Sequence, residues 1–401
     1  MKLAYLSTRP VGTAGARSRT ARPHYITRAL RAQGFALEYV AVALEPAPWF
    51  KFVLAVKRRW YEGLLHKQYL WERDPHVLRR HAARSRARLA NLQFDAVFAH
   101  ETLPLAYLAC DKPIFFWHDA TFAGLLHYYP GMSDPCAESI CRAHAAERAS
   151  LRRCAAAIYS SDWAARSARD HYGIEPGKIH VVPFGPYTDC DRTRSEIERV
   201  VASRSFETCR LLFVGHEWAR KGGEIAVAAA ETLNQNGVPT VLTIIGAQCP
   251  EKHRARPFVN WLGVLDKSDP NGKTRMREIM ESSHFLVLPT QADCVPTILL
   301  ECYTCGLPVL TTTEGGIPSV VDDGRTGKLF PADSRPAAYS AWIAERFAEP
   351  DRYRRMALAA FETYETRLNW SVSGARVKVV IEDAVRYGCS GATQVCFSAA
   401  R

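Results

Sequence analysis

A basic, glycine-containing segment in the second half of the chain has the residue types of a phosphate-binding loop. It runs from Gly215 to Gly223 and contains the adjacent cations Arg220 and Lys221. Glycine lets backbone N–H groups approach an oxyanion, and the start of the following helix adds positive potential. The segment therefore predicts a diphosphate cradle. The alternative is a solvated basic turn between a strand and a helix.

A second segment places two carboxylates around a predicted helix start. Asp293 precedes the helix, Pro296 suits its first turn, and Glu301 lies about a turn and a half inside it. Each carboxylate accepts two hydrogen bonds, which suits the diols of a sugar or a ribose. The alternatives are an ordinary helix cap for Asp293 and a partly exposed helix position for Glu301.

A third segment has two adjacent glycines, Gly315 and Gly316, directly after a predicted strand. Two glycines in succession allow a ligand to approach the backbone closely, although a simple tight turn explains them as well. The nearby pair Cys302 and Cys305 has the spacing of a redox or zinc motif. No second such pair or paired histidine lies near it, so helix packing is the favoured interpretation.

The order of apolar and amphipathic segments predicts an α/β fold. Short runs rich in Val, Ile and Phe alternate with longer segments of helical period, which is typical of doubly wound parallel sheets. In such sheets ligands bind at the carboxyl ends of the strands, where all three segments lie. The predicted strands are Lys2–Ser7, Ala36–Val42, Ala96–Ala99, Pro113–Trp117, Ala156–Ser160, Ile179–Val182, Leu211–Val214, Thr240–Ile245, Val259–Leu262, Phe285–Leu288 and Pro308–Thr312.

A chain of 401 residues is long enough for two well-buried domains. We predict an amino-terminal domain over 1–185, a polar linker over 186–208 and a second domain over 209–370. A carboxyl-terminal helix over 371–388 is expected to pack back on the first domain, followed by a tail over 389–401.

Composition narrows the class of protein. Hydrophobic residues make up 47% and charged residues 23% of the chain, which is typical of a folded globular protein. The net charge of +11 favours an anionic partner. No apolar run is long enough to span a membrane, and the segment from Met1 to Gly15 lacks the apolar core of a signal peptide. We therefore expect a cytoplasmic protein with reduced cysteines.

Residues 50–90 form a basic and aromatic segment. Between Lys51 and Ala90 there are eleven Lys and Arg and three acidic residues, a net charge of +8, with Trp60 and Tyr61 among them. Three interpretations remain open: a helix at a membrane interface, an acceptor-binding surface for an anionic glycan or lipid, and a solvated basic face. No recognised module supports nucleic-acid binding.

The three segments together, in their order and spacing, resemble family 4 glycosyltransferases of the GT-B fold. The resemblance rests on the motifs Gly215 with Arg220-Lys221-Gly222, Asp293 with Glu301, Gly306-Leu307-Pro308-Val309, and Gly315-Gly316. It extends more weakly into the first half through His118-Asp119 and the segment ending at Gly185. The resemblance implies two Rossmann-like doubly wound domains facing across a cleft.

The resemblance also implies roles for individual residues. Arg220 and Lys221 bind the donor diphosphate, Glu301 contacts the ribose, and Asp293 contacts the transferred sugar. His118 lies near the sugar and the acceptor, and the loop containing Gly15 lies near the phosphates. We expect catalytic roles for His118, Asp293, Arg220 and Lys221, and substrate binding by Gly15, Gly215, His216, Cys294, Val295, Pro296, Thr297 and Glu301.

The implied reaction moves a sugar from a nucleotide diphosphate sugar to a hydroxyl, with retention of configuration. The expected donor is a UDP- or GDP-sugar and the acceptor a glycan or glycolipid in polysaccharide or glycolipid assembly, with no metal and no further cofactor. The sequence departs from the family pattern in four places. His216 stands for an arginine, Asp293 for a glutamate and Cys294-Val295-Pro296 for a Gly-Phe-Gly, and the loop Gly12–Ala16 lacks paired glycines. Asp293 and the missing glycines motivate the alternative of a non-catalytic binding protein. A Rossmann oxidoreductase is disfavoured because no G-x-G-x-x-G follows the first strand.

Overall fold

Two parallel six-stranded sheets form the framework of the protein, which confirms the α/β prediction. The computed structural model describes residues 1–10, 18–246 and 248–387. Contacts divide them into a first unit, with residues 1–10, 19–182 and 373–387, and a second unit, with residues 183–246 and 248–372.

The first unit alternates strands with helices. In chain order these are β1 (Lys2–Ser7), α1 (Ser18–Ala32), β2 (Ala36–Ala41), α2 (Pro48–Arg58), α3 (Pro75–Leu89), β3 (Ala96–Ala99), β4 (Ile114–His118), α4 (Phe122–Leu125), α5 (Ala137–Arg153), β5 (Ala156–Tyr159), α6 (Asp162–Tyr172) and β6 (Ile179–Val181). A π-helix, Arg59–Leu64, continues α2. The strand order is β2-β1-β3-β4-β5-β6, and all neighbours are parallel.

The second unit repeats this plan. Its elements are α7 (Arg194–Ala202), β7 (Cys209–Val214), α8 (Trp218–Lys221), α9 (Gly223–Gln235), β8 (Thr240–Ile245), α10 (Glu251–Arg254), β9 (Val259–Gly263), α11 (Pro270–Ser282), β10 (Phe285–Leu288), α12 (Thr297–Tyr303), β11 (Val309–Thr312), β12 (Gly327–Phe330), α13 (Pro336–Phe347) and α14 (Pro350–Thr366). The strand order is β12-β11-β10-β7-β8-β9, again parallel throughout.

The central strands are continuous apolar runs because helices cover both faces of a parallel sheet. All four residues of β3, β5, β10 and β11 are buried. Every predicted strand is present, with ends shifted by no more than two residues. The carboxyl ends of these rigid strands hold the loops in which we expected the ligand site.

Two elements of the second unit differ from the expectations. The predicted linker, 186–208, contains α7, whose Ile197 and Val201 are buried in the core of the second unit. This helix is fixed at its start by a capping box between Thr193 and Glu196. Strand β12 was not predicted, since its short sequence is only half buried. It extends the sheet beside β11.

The carboxyl-terminal helix α15 (Trp370–Tyr387) is divided between the two units: its first three residues belong to the second unit. The indole N–H of Trp370 donates to the carbonyl oxygen of Pro186 at 2.7 Å, within the second unit. From Ser373 onward the helix is part of the first unit. There Gly374 lies so close to α1 that an added Cβ would be 3.2 Å from the carbonyl oxygen of Ala29. Among the described helices, none is long and apolar enough to cross a membrane.

His284 makes the stability of the second unit depend on pH. It is buried among aromatic rings, and its Nδ1 accepts a hydrogen bond from the backbone N–H of Arg210 at 3.0 Å. Burial, together with the positive charge of Arg204, lowers the pKa of His284 from 6.5 to about 4. The folded protein therefore keeps this imidazole neutral at pH values where the unfolded chain has already bound a proton.

We expect the free energy of unfolding to fall as the pH decreases from about 6.5 to about 4, with His284 contributing roughly 2 to 3 kcal/mol of the loss. In His284→Asn, whose side-chain oxygen can replace Nδ1 as the acceptor, the pH dependence should be flatter by this amount. Urea unfolding at a series of pH values measures the difference. Equal slopes in the two proteins would contradict the assignment.

Candidate active site

Hydrogen bonds join the three loops that the sequence marked separately. The backbone N–H of Gln291, after β10, donates to the carbonyl oxygen of Arg220 in α8 at 2.8 Å. The N–H of Gly316, after β11, donates to the carbonyl oxygen of Cys294 at 2.6 Å. The loops after β7, β10 and β11 therefore form one connected structure at the carboxyl edge of the second sheet.

Two cations and a carboxylate meet within this structure. Lys221 Nζ lies 2.7 Å from Asp293 Oδ2, and Arg220 Nη1 lies 3.3 Å from Asp293 Oδ1. Arg220 Nη1 also donates to the carbonyl oxygen of Ala292 at 2.5 Å, and the hydroxyl of Thr290 donates to Asp293 at 2.6 Å. The three charged side chains are only 11–14% exposed. Their positions are therefore fixed by several partners each, as a preorganised site requires.

The charges in this group are balanced. Arg220 also forms an ion pair with the exposed carboxylate of Glu217 at 2.7 Å, so two cations face two carboxylates. An ammonium group has three N–H donors, and the bond to Asp293 uses one donor of Lys221. His216, in the same loop, is exposed. The structure thus gives Asp293 a role that the sequence did not indicate, since it holds both cations in place.

Neither alternative for the two carboxylates is correct. The N-cap of α12 is Pro296, and no side-chain hydrogen bond caps this helix, so Asp293 is not an ordinary cap. Glu301 is not a partly exposed helix residue, because its side chain is 3% exposed and forms an ion pair with Lys267. Lys267 was missed, since it lies in the loop between β9 and α11 without a motif around it.

The segment between the two carboxylates is mostly buried. Cys294 and Pro296 are buried, whereas Val295 and Thr297 are half buried. Val295 packs against the core of the second unit. Thr297 is the first residue of α12. Of these four side chains, Val295 and Thr297 are the more accessible to a ligand.

Glycines allow the loops after β7, β8 and β10 to pack closely. A Cβ on Gly215 would lie 2.9 Å from Lys221 Cγ, and a Cβ on Gly246 would lie 2.9 Å from the carbonyl oxygen of Gly215. Gly222 has φ +80°, and a Cβ there would lie 2.2 Å from the carbonyl oxygen of Pro289. Side chains at these positions would displace Lys221 or separate the loops.

We expect Gly222→Ala to lower the free energy of unfolding by roughly 2 to 3 kcal/mol, from a left-handed backbone and a collision with Pro289. Gly237→Ala is a matched control, because Gly237 also has φ +80° but has no atom within 4 Å of an added Cβ. It should cost only about 1 kcal/mol. Equal costs, measured by urea unfolding, would show that the close approach to Pro289 has no energetic weight.

A group of aromatic and basic residues lies at the carboxyl ends of the neighbouring strands β7, β8 and β9. The ring of Trp218 stacks on His253, and both contact the carboxylate of Glu224, with His253 Nε2 at 2.8 Å. The guanidinium of Arg254 lies over the ring of Trp261, 3.8 Å from its centroid. The pairing of these side chains depends on the adjacency of three strands, which side-chain spacing in the sequence does not show.

His118 belongs to the first unit and ends strand β4. Its Nδ1 lies 2.6 Å from the carbonyl oxygen of Ala120. The backbone N–H of Ala120 lies farther from the same nitrogen, at 3.2 Å. The shorter contact favours a proton on Nδ1, because a carbonyl oxygen can only accept, and in the neutral imidazole with that proton Nε2 is an acceptor. The side chain is partly exposed. Gly15, which the resemblance places near the phosphates, lies outside the described residues.

Arg22 holds the residue next to His118. Its guanidinium, on α1, forms a two-point ion pair with the carboxylate of Asp119, and Asp119 Oδ1 lies 3.6 Å from His118 Nδ1. Burial alone raises the pKa of Asp119, but Arg22 and His118 outweigh it and keep the pKa below its ordinary value. Asp119 is therefore a carboxylate that Arg22 holds in the loop after β4.

A second histidine, His100, lies near this pair and was not identified from the sequence. It stacks on the buried ring of Tyr5 with centroids 5.8 Å apart. Burial lowers the pKa of His100 to about 4. The carboxylate of Glu101 partly opposes this shift, whereas Arg22 and His118 add to it. His100 is consequently neutral at physiological pH. Among the described residues, the imidazoles of His100 and His118 therefore lie near the cation Arg22 and the carboxylates Glu101 and Asp119.

No metal or redox centre is formed by the candidate cysteines. Cys302 and Cys305 are buried free thiols, and burial raises the pKa of both. Among the described residues, no group of three or more His, Cys, Asp or Glu side chains is arranged to hold a metal ion. The Cys302 and Cys305 pair therefore packs the core around α12.

Two protein-family models match the chain, one in each half. Residues 23–189 match the model of Glycosyltransferase Family 4, and residues 208–347 match the model of Glycosyl transferases group 1. The two matches together cover more than half of the chain. D-inositol 3-phosphate glycosyltransferase of Acidothermus cellulolyticus is 29% identical over 255 residues, 59% of this chain and 55% of the relative. The chain spans about half the length of the curated relatives it matches.

Solved structures share the fold. Sucrose-phosphate synthase from Thermosynechococcus elongatus superimposes with a TM-score of 0.65 at 15% identity, covering 96% of this chain and 99% of that one. Anabaena HepE in complex with UDP-glucose gives a TM-score of 0.59 at 14% identity, covering 96% and 100%. The architecture is that of the GT-B glycosyltransferases. The chain belongs to family 4 of the glycosyltransferases, which confirms the resemblance drawn from its motifs.

Proposed function

We propose that the protein transfers a sugar from a nucleotide diphosphate sugar to a hydroxyl acceptor, with retention of anomeric configuration. The observation that supports this most is the meeting of Arg220, Lys221 and Asp293 in loops joined by hydrogen bonds. Family membership supports a glycosyltransferase. The Anabaena relative that shares the fold was solved with UDP-glucose.

In this proposal Arg220 and Lys221 bind the donor diphosphate. Gly215 leaves room for the side chain of Lys221 to lie across the loop, where backbone N–H groups of the loop, including that of His216, can approach the phosphates. Helix α9 begins at Gly223, directly after the cations, and adds positive potential. An anionic ligand would compete with Asp293 and Glu217 for these cations.

Glu301 is proposed to bind the ribose. A carboxylate can accept hydrogen bonds from both hydroxyls of a diol. Its ion pair with Lys267 orients the buried carboxylate. The base would lie near Arg254 and Trp261, since a guanidinium and an indole ring both offer flat surfaces for stacking. UDP and GDP are the donors to distinguish.

The proposed reaction is a front-face displacement. The acceptor hydroxyl attacks the anomeric carbon from the side of the leaving diphosphate, which takes the acceptor proton while the bond from carbon to phosphate oxygen breaks. Arg220 and Lys221 stabilise the negative charge that develops, and each such contact is worth about 2 to 4 kcal/mol. Because these cations carry out the task, we propose a reaction without a metal or additional cofactor.

His118 and Asp293 are proposed to contact the sugar. Nε2 of His118 can accept a hydrogen bond from a sugar or acceptor hydroxyl, because Nδ1 is bound to Ala120. Asp293 has a second task, since it holds Lys221 and Arg220. Val295 and Thr297 complete the proposed sugar contacts. The acceptor is proposed to be a glycan or glycolipid at the cytoplasmic face of a membrane, in keeping with the basic segment 50–90.

A thermal-shift panel with UDP, GDP, ADP and their common sugars tests the donor site. Binding at about 100 times Kd should add about 2.7 kcal/mol of stability, and one base should stand out. Lys221→Ala and Glu301→Ala should lose the shift. The matched controls Lys273→Ala and Glu278→Ala, at exposed positions of α11, should keep it. No shift with any nucleotide in folded wild-type protein would contradict the proposal.

A further inference from the structure

Exposed apolar side chains are concentrated in one short stretch of the first unit. Of the thirteen large hydrophobic residues that are exposed in the described ranges, six lie between residues 49 and 65, and they are 46–75% exposed. They are Trp49, Phe52, Val56, Trp60, Leu64 and Leu65. Single exposed apolar residues need no explanation, but a contiguous patch marks an interaction surface. We call this patch the 49–65 surface.

The helix beneath this surface is fixed to the body of the unit by its other face. Phe50 and Leu54 of α2 are buried in a cluster that includes Tyr69 and Val77. Lys57, on the same helix, forms an ion pair with Glu138 of α5. Because these contacts fix the rotation of α2, the helix cannot turn its exposed apolar side chains inward.

The exposed side chains follow the helical period. Trp49, Phe52, Val56 and Trp60 are spaced by three, four and four residues, so they form one stripe along α2 and into the π-helix. Leu64 and Leu65 extend it at the end of the π-helix. The result is an apolar ridge with a tryptophan near each end, rather than a closed pocket.

Basic residues border the ridge. Residues 48–67 contain five basic side chains, Lys51, Lys57, Arg58, Arg59 and Lys67, and a single acid, Glu62. Of the five, all but Lys57 are exposed. Two of the exposed cations are paired with acids, Arg58 with Glu62 and Lys67 with Asp134. The 49–65 surface and its flanks therefore combine apolar, aromatic and basic side chains along one short segment.

We propose that the 49–65 surface docks on an anionic lipid bilayer, with its apolar ridge inserted at the interface. Aliphatic and indole side chains partition into the boundary between headgroups and acyl chains, and long basic side chains reach the anionic headgroups. A nucleic acid fits less well, because Val56 and the two leucines offer no stacking surface. Docking does not depend on sugar transfer.

Co-sedimentation of the full chain with vesicles tests the proposal. Phosphatidylcholine vesicles that contain phosphatidylglycerol should bind the protein, and the tryptophan emission should shift to shorter wavelength on binding. Vesicles of phosphatidylcholine alone should bind it much more weakly, by about fivefold for each basic residue engaged. A wild-type protein that stays in the supernatant with both kinds of vesicle would overturn the proposal.

Variants assign the binding to the ridge. The triple variant Trp49→Ser, Phe52→Ser and Trp60→Ser should bind at least about tenfold more weakly. Lys51→Glu with Arg59→Glu should lose the preference for anionic vesicles. A control with Val264→Ser and Val379→Ser, two exposed apolar residues elsewhere, should bind like the wild type. Unchanged binding by the triple variant would overturn the proposal.

Two further measurements separate this proposal from others. The triple variant should keep its thermal unfolding midpoint and its response to nucleotide, because the substituted side chains are exposed and lie outside the second unit. Light scattering distinguishes a bilayer from a second copy of the chain. A dimer that the triple substitution abolishes, without binding of the wild type to vesicles, would assign the surface to self-association and reject the bilayer.

Discussion

Replacing Lys221 with alanine should lower kcat for sugar transfer by about 10²- to 10³-fold. The ammonium group is held 2.7 Å from Asp293 on a side chain that is 13% exposed, so its position is fixed before a ligand binds. Its removal deletes a charge that stabilises the leaving diphosphate and takes from Asp293 one of its two described cationic partners, leaving Arg220 at 3.3 Å. The measurement is release of the nucleotide from the preferred donor under saturating conditions.

Two controls make this result specific. Lys273→Ala, an exposed lysine on α11, should leave kcat unchanged. Asp293→Asn should also reduce kcat, since it weakens the fixing of both cations while nearly preserving the volume of the side chain. If Lys221→Ala retains wild-type kcat and only raises KM, Lys221 binds donor and transition state equally, and its proposed catalytic role is wrong.

Replacing Arg204 with alanine should lower the free energy of unfolding of the second unit by roughly 4 to 5 kcal/mol. Arg204 follows α7 in the stretch expected to be a linker, and it is 5% exposed. Its guanidinium donates to the carbonyl oxygens of Glu281, Gly306 and Cys305 at 2.7–2.9 Å and to the Tyr353 hydroxyl at 2.7 Å. The substitution would leave these buried acceptors without their donors.

Urea unfolding followed by circular dichroism measures this loss. Arg194→Ala is the matched control, because Arg194 is an exposed residue of α7 whose partner, Glu198, is also exposed. It should change stability by less than about 0.5 kcal/mol. If Arg204→Ala loses as little stability as Arg194→Ala, water satisfies the acceptors that the guanidinium leaves. That result would contradict the role of Arg204 as a structural anchor.

The positions of the loops could be predicted from the sequence because the signals are local. Apolar runs such as Phe285–Leu288 identify the strands, and parallel topology places the residues that follow them at one edge of the sheet. Arg220 and Lys221 are adjacent in sequence, and Asp293 and Glu301 flank one short helix. Such patterns can be read without knowing which strands are neighbours.

The partners of these residues could not be predicted, because they depend on contacts between distant parts of the chain. Glu301 pairs with Lys267, 34 residues away, and Asp119 pairs with Arg22, 97 residues away. Neither cation lies in a motif. For the same reason, the sequence did not indicate the second role of Asp293. Its contacts with Arg220 and Lys221 require strands β7 and β10 to be neighbours.

Helix α7 was missed for a different reason. Four of its nine residues are charged, and only two of its apolar residues, Ile197 and Val201, are buried in the core. Their spacing of four residues is a helical signal, but the polar composition of the stretch outweighed it in the interpretation as a linker. Burial of a narrow apolar stripe is sufficient when the capping box and Arg204 anchor both ends.

Incubation with nucleotide sugars tests whether the protein transfers sugar, with water or a simple glycoside as the acceptor. Proton NMR follows the release of nucleotide diphosphate and the anomeric configuration of the product. We expect release from one donor, a product with the configuration of that donor, and a loss of about 10²- to 10³-fold in Lys221→Ala. An inverted product would contradict the front-face reaction. Binding of nucleotide without release from any donor would contradict sugar transfer and leave a protein that only binds nucleotide sugars.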